Sequence, residues 1–194
     1  EPISTRAIVI ATGARPFVPP IRGLDEVPYF TSDTIWEMKE QPRRLTVLGG
    51  GPIGCELAQC FARFGTAVTI VEMADTVLVR DEPEMAATVA ESLRADGVKL
   101  RVGARAQAVT PAPDGGGSIL CTGDDGTESH VDFDAILVAV GRRPNVHGFG
   151  LEEIGINAAP EAGGVVETDD YLATLHPNIF ACGDVAGPYQ FTHA

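Results

Sequence analysis

Between Leu45 and Glu72 the chain passes through an apolar stretch, a glycine turn, a helical periodicity and a second apolar stretch, a succession that few folds accommodate. Leu45-Thr46-Val47-Leu48 has the length and character of a buried strand and is closed by glycine. From Pro52 to Phe64, the apolar residues Ile53, Leu57, Phe61 and Phe64 recur at helical spacing. Pro52 suits a first helical turn, where its missing N–H would have had no partner. Gly65 stops the helix, and Ala67-Val68-Thr69-Ile70-Val71 forms the next strand. Two strands joined by a helix make a crossover unit, which calls for a parallel sheet.

The turn inside this unit reads Gly49-Gly50-Gly51-Pro52-Ile53-Gly54 and matches GxGxxG at positions 49, 51 and 54. The match alone is weak, but here it follows a strand, opens a helix and is answered by an acidic residue at the tip of the next strand. That residue, Glu72, lies 18 positions beyond Gly54, close to the ~20 of the dinucleotide fingerprint. Gly49 permits the tight turn, Gly51 lets the backbone approach a diphosphate, and Gly54 lets the helix sit close to the strand. The free N–H groups and positive end of the helix then face the diphosphate. A carboxylate at Glu72 accepts hydrogen bonds from both adenosine ribose hydroxyls and repels a 2′-phosphate, so NAD(H) is expected over NADP(H). The next basic residue, Arg80, is too far along to reverse that.

The rest of the chain frames this unit. Ala7–Ala11 reads as a buried strand, followed by a proline-rich stretch from Pro16 to Pro28. Ser32-Asp33 is expected to cap a short helix reaching Lys39. A helix over Pro83–Ala95 has Met85, Val89 and Leu93 on one face and Gly97 as its stop. Short strands near 98–102, 105–110, 118–121 and 128–133 are expected to form an antiparallel meander, with the glycine-rich stretch at 113–118 as a hairpin turn. Ala135–Val140, a short run around 164–167, and Ile179-Phe180-Ala181 complete the strands. The expected fold class is therefore α/β: a Rossmann-like three-layer nucleotide-binding domain with a parallel sheet and an antiparallel meander, with flanks that the resemblance given below implies are parts of a second, FAD-binding domain.

Composition narrows the partners. A net charge of −13 argues against a nucleic-acid surface, which needs clustered Lys and Arg, and against anionic lipid. No apolar run reaches the ~20 residues of a membrane span, so no membrane partner is expected. The first residues lack a signal-peptide pattern and open almost inside a strand, which suggests a piece of something longer. Cys55, Cys60, Cys121 and Cys182 form no CxxC pair, and His130, His147, His176 and His193 show no ligand spacing with them. A reducing, cytoplasmic setting and no metal site are expected.

Three further motifs, taken with the fingerprint, carry a resemblance. They are Ala11-Thr12-Gly13-Ala14-Arg15-Pro16, Ala139-Val140-Gly141-Arg142-Arg143-Pro144-Asn145, and Thr174-Leu175-His176-Pro177-Asn178-Ile179-Phe180-Ala181-Cys182-Gly183-Asp184. In this order, over nearly the whole chain, they resemble the pyridine nucleotide-disulfide oxidoreductases, FAD enzymes such as dihydrolipoamide dehydrogenase, mercuric reductase and glutathione reductase. The resemblance implies that Thr12 and Gly13 lie beside FAD, and that Asp184 binds a flavin ribitol hydroxyl. It implies that Thr192 offers a backbone N–H near the flavin pyrimidine. Gly141 would line the nicotinamide cleft, and Glu56 would sit near nicotinamide and flavin, pairing with a Lys absent from this chain. Some relatives carry an aromatic gate where this chain has Pro52, which cannot act as one. Tyr29-Phe30-Thr31-Ser32-Asp33-Thr34 and Gln41-Pro42-Arg43-Arg44-Leu45 look like the lipoamide dehydrogenase and mercuric reductase branch.

The implied organisation is an FAD-domain portion and linker at 1–30, an NAD(H)-binding domain at 31–146, and a second FAD-domain portion at 147–194. The implied chemistry runs from NADH to FAD and on to a small-molecule or protein disulfide-type acceptor, in a full-length homodimer. Cys55 and Cys60 have the CxxxxC spacing of the family's redox pair, but they fall inside the expected helix. There i and i+5 lie on different faces about 7.5 Å apart along the axis, too far for a disulfide. The FAD fingerprint, the redox cysteines and the dimerisation region with its His–Glu pair have no match, so this stretch alone is expected not to turn over a disulfide. Rival readings are a flavin ferredoxin reductase or NADH oxidase without a redox disulfide, and a non-enzymatic NAD sensor.

Overall fold

The structure, a computed structural model, describes residues 3–113, 115–159, 164–187 and 190. It divides into two compact units, residues 16–141 and a smaller one formed by residues 1–15 with 142–194. The chain starts in the smaller unit with β1 (Ile8–Ile10) and reaches the larger through β2 (Ala14–Pro16).

The larger unit contains β3 (Tyr29–Thr31), β4 (Arg44–Leu48), α1 (Pro52–Arg63), β5 (Ala67–Val71), α2 (Pro83–Ala95) and β6 (Lys99–Arg101). β7 (Ala104–Pro111), β8 (Gly117–Gly123), β9 (Glu128–Phe133) and β10 (Ala135–Val138) follow. Five strands make a wholly parallel sheet in the order β3-β10-β4-β5-β6. β7, β8 and β9 make a separate antiparallel meander.

Strand alternation sorts the apolar side chains into two cores. Leu45, Val47, Val68, Ile70 and Leu137 meet Cys55 and Ala58 of α1 and Ala90 and Leu93 of α2. The alternate residues Leu48, Val71, Ile136 and Val138 meet Ile119, Cys121, Val131 and Phe133 of the meander. The result is helices, parallel sheet and meander in three layers, each face burying side chains worth about 1.5–3 kcal/mol apiece. The amino ends of β4 and β10 are tied by Asp134, whose carboxylate accepts the Arg44 backbone N–H at 2.9 Å and guanidinium N–H groups at 2.7 and 3.0 Å.

The smaller unit adds β11 (Arg142–Pro144) beside β2, the antiparallel pair β12 (Ala158–Ala159) and β13 (Val165–Val166), and β14 (Ile179–Ala181). β14 pairs parallel with β1, Ile8 opposite Ile179 and Ile10 opposite Ala181. Ile10, Val146, Leu151, Ile156, Val166, Ala181 and Val185 form its core.

Several expectations need correction. The strand near 98–102 is not part of the meander: as β6 it continues the parallel sheet beyond β5, because α2 makes a second crossover. The helical faces are right in part: Leu93 is buried and Leu57, Phe61 and Val89 pack half-buried against the core. The most deeply buried positions are Gly54, Cys55 and Ala58 of α1, and Ala86, Ala90 and Leu93 of α2, while Phe64 and Met85 are exposed. Helix after Ser32-Asp33 shrinks to a 3-10 turn at Ile35–Glu37, and the polar contact is Thr31 N–H to Thr34 Oγ1 instead. The two compact units change over at residues 15/16 and 141/142. Segment 16–30 goes with the larger unit because β3 pairs with β10, Arg22 C=O accepts the Val109 N–H at 2.8 Å, and Leu24 and Val27 join the meander core.

Candidate nucleotide site

The site in the larger unit follows from where the parallel strands end. β4 connects by α1 to β5 on one side, while β10 lies on its other side, so the direction of winding reverses between β4 and β10. Ligands of open α/β sheets bind in the crevice at the carboxyl ends of such strands. Gly49 leaves β4 there with φ +101, its N–H donating to Val71 C=O at 2.9 Å. A Cβ on Gly49 would lie 2.4 Å from Ala139 O, so only glycine lets β4 turn this close to the end of β10. Gly54 is equally confined: a Cβ there would sit 2.1 Å from Gly49 O. Gly51 is the opposite case. It is the N-cap of α1 with φ −75, and a Cβ there would have no neighbour within 4 Å. Pro52 occupies the first turn, and no side-chain hydrogen bond caps α1. Backbone N–H groups and helix dipole converge at its N-terminus on whatever anion enters.

Glu72 stands at the end of β5, beside this turn. Its Oε2 accepts the Gly50 N–H at 2.6 Å and its Oε1 accepts the Ala74 N–H at 2.8 Å. An ionised carboxylate has about four acceptor positions, so two remain for hydroxyls of a ligand. The fingerprint reading assigned no role to Gly50 or Ala74; the three consecutive glycines were the only sign. Ile53 is half-buried, Pro52 and Glu56 are exposed on the first turns of α1, and Gly141, with φ +125, is exposed beyond the end of β10.

The cysteines of α1 are not a redox pair. Cys55 is buried, its thiol donating to Gly50 C=O at 3.3 Å, whereas Cys60 is exposed and both are free. Burial, with Glu72, Glu56 and Asp81 nearby, pushes the Cys55 thiol up to about 11, so at neutral pH it is protonated and a poor nucleophile.

In the smaller unit β1 and β14 run parallel and end together, and each is followed by one of the other motifs. After β1, the Thr12 hydroxyl donates to Asn145 C=O at 2.7 Å, the Asn145 amide donates back to Thr12 C=O at 2.9 Å, and the Asn145 N–H meets Gly13 C=O. Gly13 has φ +64 with open space beside it. After β14, Asp184 in the turn Gly183–Val185 accepts from Arg142 Nε at 3.2 Å, and Arg142 also donates to Ala14 C=O at 2.6 Å. Asn145 and Arg142 thus brace the two motifs, a role their sequence positions did not disclose. Thr192 lies outside the described residues.

The whole chain, residues 1–194, matches the family model of pyridine nucleotide-disulphide oxidoreductases. The chain belongs to this family. It is 37% identical over 191 residues to a mercuric reductase of Staphylococcus aureus, covering 98% of this chain and 34% of that protein. It is 39% identical over 180 residues to a dihydrolipoyl dehydrogenase of Bacillus subtilis strain 168, covering 91% of this chain and 37% of the other. Among solved structures it is similar to the HOCl-induced flavoprotein disulfide reductase RclA of Escherichia coli, at 35% identity and a TM-score of 0.83 over 96% of this chain and 41% of that one. The chain therefore spans little more than a third of the length of the relatives it matches. No helix among the described residues is long and apolar enough to cross a membrane.

Proposed function

We propose that this chain is the NAD(H)-binding part, with flavin-binding flanks, of an FAD-dependent oxidoreductase that passes hydride from NADH to FAD and on to a disulfide or similar acceptor. The observation that carries this reading is the braced Glu72 carboxylate beside the uncapped α1 N-terminus, at the crevice between β4 and β10. In it the α1 N–H groups hold the diphosphate, the open face of Gly51 lets it approach, and Glu72 receives the adenosine ribose hydroxyls and repels a 2′-phosphate. Gly141 and Glu56 belong to the nicotinamide side of the same crevice.

The residues of the smaller unit suit a flavin. Two parallel strands end side by side, Gly13 leaves open space for a close backbone approach, and Asp184 keeps acceptor positions beyond the one Arg142 fills. Thr12, Gly13, Asp184 and Thr192 would hold FAD, which supplies a two-electron acceptor for the hydride. The acceptor, the homodimer and the remainder of the FAD domain belong to the reading of the full-length protein. The four free cysteines suit a reducing, cytoplasmic compartment.

Titrating NADH against NADPH, followed by heat or by the fluorescence of the single tryptophan, Trp36, tests the nucleotide assignment. NADH is expected to bind tighter, and Glu72→Ala to weaken NADH about tenfold or more, one well-placed hydrogen bond to a charged group. Tighter binding of NADPH by the unaltered protein overturns the assignment.

A further inference from the structure

We infer that Gly50 is a positioning residue for Glu72, and that the preference for NADH over NADPH depends on its lack of a side chain as much as on the carboxylate itself. The inference rests on the nucleotide assignment above and extends it to a residue outside the ligand contacts assigned there.

Both backbone groups of Gly50 are committed to the segment after β5. Its N–H donates to Glu72 Oε2 at 2.6 Å. Its C=O accepts the Leu78 N–H at 2.8 Å and the Cys55 thiol at 3.3 Å. To make that contact Leu78 takes φ +53, a conformation uncommon outside glycine, Asn and Asp, so the segment is held against Gly50 at some strain. Within it, the Ala74 N–H holds the other Glu72 oxygen at 2.8 Å. The carboxylate is therefore fixed from two directions before a ligand arrives, and the ribose hydroxyls meet acceptors already in place.

The same closeness leaves no room for a side chain. A Cβ on Gly50 would lie 2.9 Å from Val77 Cγ1, and 3.2 and 3.3 Å from Glu72 Cγ and Cβ. Val77 is buried at 1% exposure and packed into the core beneath the helices, so it has little freedom to withdraw. The half-buried Glu72 side chain is the part that gives way. One methyl group at Gly50 thus pushes the Glu72 side chain aside by a few tenths of an ångström, disturbing its two-sided bracing while leaving its charge and its sequence position unchanged.

Gly50→Ala in the full-length protein that contains this stretch tests this, with Kd measured for NADH and NADPH, steady-state kinetics with NADH, and thermal unfolding. NADH affinity is expected to fall about tenfold while NADPH changes little, so the preference drops by the same factor. KM for NADH rises while kcat stays near its original value, because the nicotinamide end of the crevice is untouched. Val77→Ala is the control: it loosens the same segment without adding an atom beside Glu72, and is expected to lower the unfolding temperature while keeping the preference. If Gly50→Ala does not fold, the double variant Gly50→Ala/Val77→Ala, which removes the 2.9 Å contact and keeps the one with Glu72, carries the same expectation. An unchanged preference in the Gly50 variant, or an equal loss in Val77→Ala, overturns the inference. If the unaltered protein itself shows no preference for NADH, the nucleotide assignment fails instead.

Discussion

Two glycines only two positions apart should respond to the same methyl group in opposite ways. At Gly49 an alanine must adopt φ +101 and place its Cβ 2.4 Å from Ala139 O, 2.7 Å from Ala139 C and 3.1 Å from Val140 Cα. All three are backbone atoms of the chain leaving β10, so no side-chain rotation relieves the overlap. The strained dihedral costs about 1–3 kcal/mol and the overpacking about 1–3 kcal/mol more. At about 2–4 °C per kcal/mol for a chain of this size, Gly49→Ala should lower the unfolding temperature by about 5–20 °C. At Gly51, φ is −75 and a Cβ meets nothing within 4 Å. Gly51→Ala should lose only the advantage of glycine over alanine as an N-cap, about 1 kcal/mol or less, yet bind NADH at least about tenfold more weakly, since the methyl group fills the space through which the diphosphate approaches. Thermal unfolding by circular dichroism and NADH titration on both variants separate the two roles. Refutation would come from a Gly49 variant that melts within a degree or two of the original, or from a Gly51 variant that binds NADH as before.

Two further expectations concern charge and thiols. Hydrogen bonds from the Arg44 guanidinium, helped by the Arg44 backbone N–H and opposed by partial burial, hold the Asp134 carboxyl below the usual carboxylate range. A group lowered in the folded state contributes stability that is complete above its unfolded value of about 3.9 and is lost as pH falls through the lowered one. Asp134→Asn should therefore lower the urea midpoint at pH 7, with the gap to the unaltered protein closing towards pH 3. The effect is modest, because the Arg44 and Asp134 side chains are 42% and 32% exposed; a gap that widens in acid contradicts the assignment. Alkylation with iodoacetamide at pH 8 under native conditions, read by mass spectrometry, should label exposed Cys60 and spare buried Cys55 and Cys121, whose thiols burial pushes up. A Cys55–Cys60 disulfide found instead would restore a redox role to α1.

Much of the larger unit could be read from local pattern, because α1, α2, β5 and β9 each carry a full period of signal between clear stops. The faces of the helices could be read only in part. Hydropathy favours bulky residues such as Phe64 and Met85, whereas a helix lying close on a sheet needs small ones, and Gly54, Cys55, Ala58, Ala86 and Ala90 carry little apolar signal. β2, β3, β11 and β12 are two or three residues long, and their partners are distant in sequence or lack a pattern of their own. That the glycines form the turn after β4 and that Glu72 ends β5 beside it could be read from spacing. The support around them could not be: Gly50 and Ala74 act through backbone N–H groups that every residue but proline has, and the Asn145 and Arg142 contacts span about 130 residues of sequence.

The larger unit begins and ends at one place, where the Phe17 N–H donates to Gly141 C=O at 2.9 Å, and the smaller unit is divided around it in sequence. During synthesis this imposes an order. Ile8 cannot meet Ile179, its register partner, until the ribosome has made everything between them, a wait on the order of ten to thirty seconds at cellular elongation rates. By then the larger unit has the whole of its own sequence, and once it folds, its clamped ends replace a long floppy loop with a short span, reducing the entropy cost of bringing β1 to β14. Substitutions that slow the folding of the larger unit should therefore delay the smaller one as well, leaving the apolar strand Ile8–Ile10 without its partner and open to aggregation in the meantime.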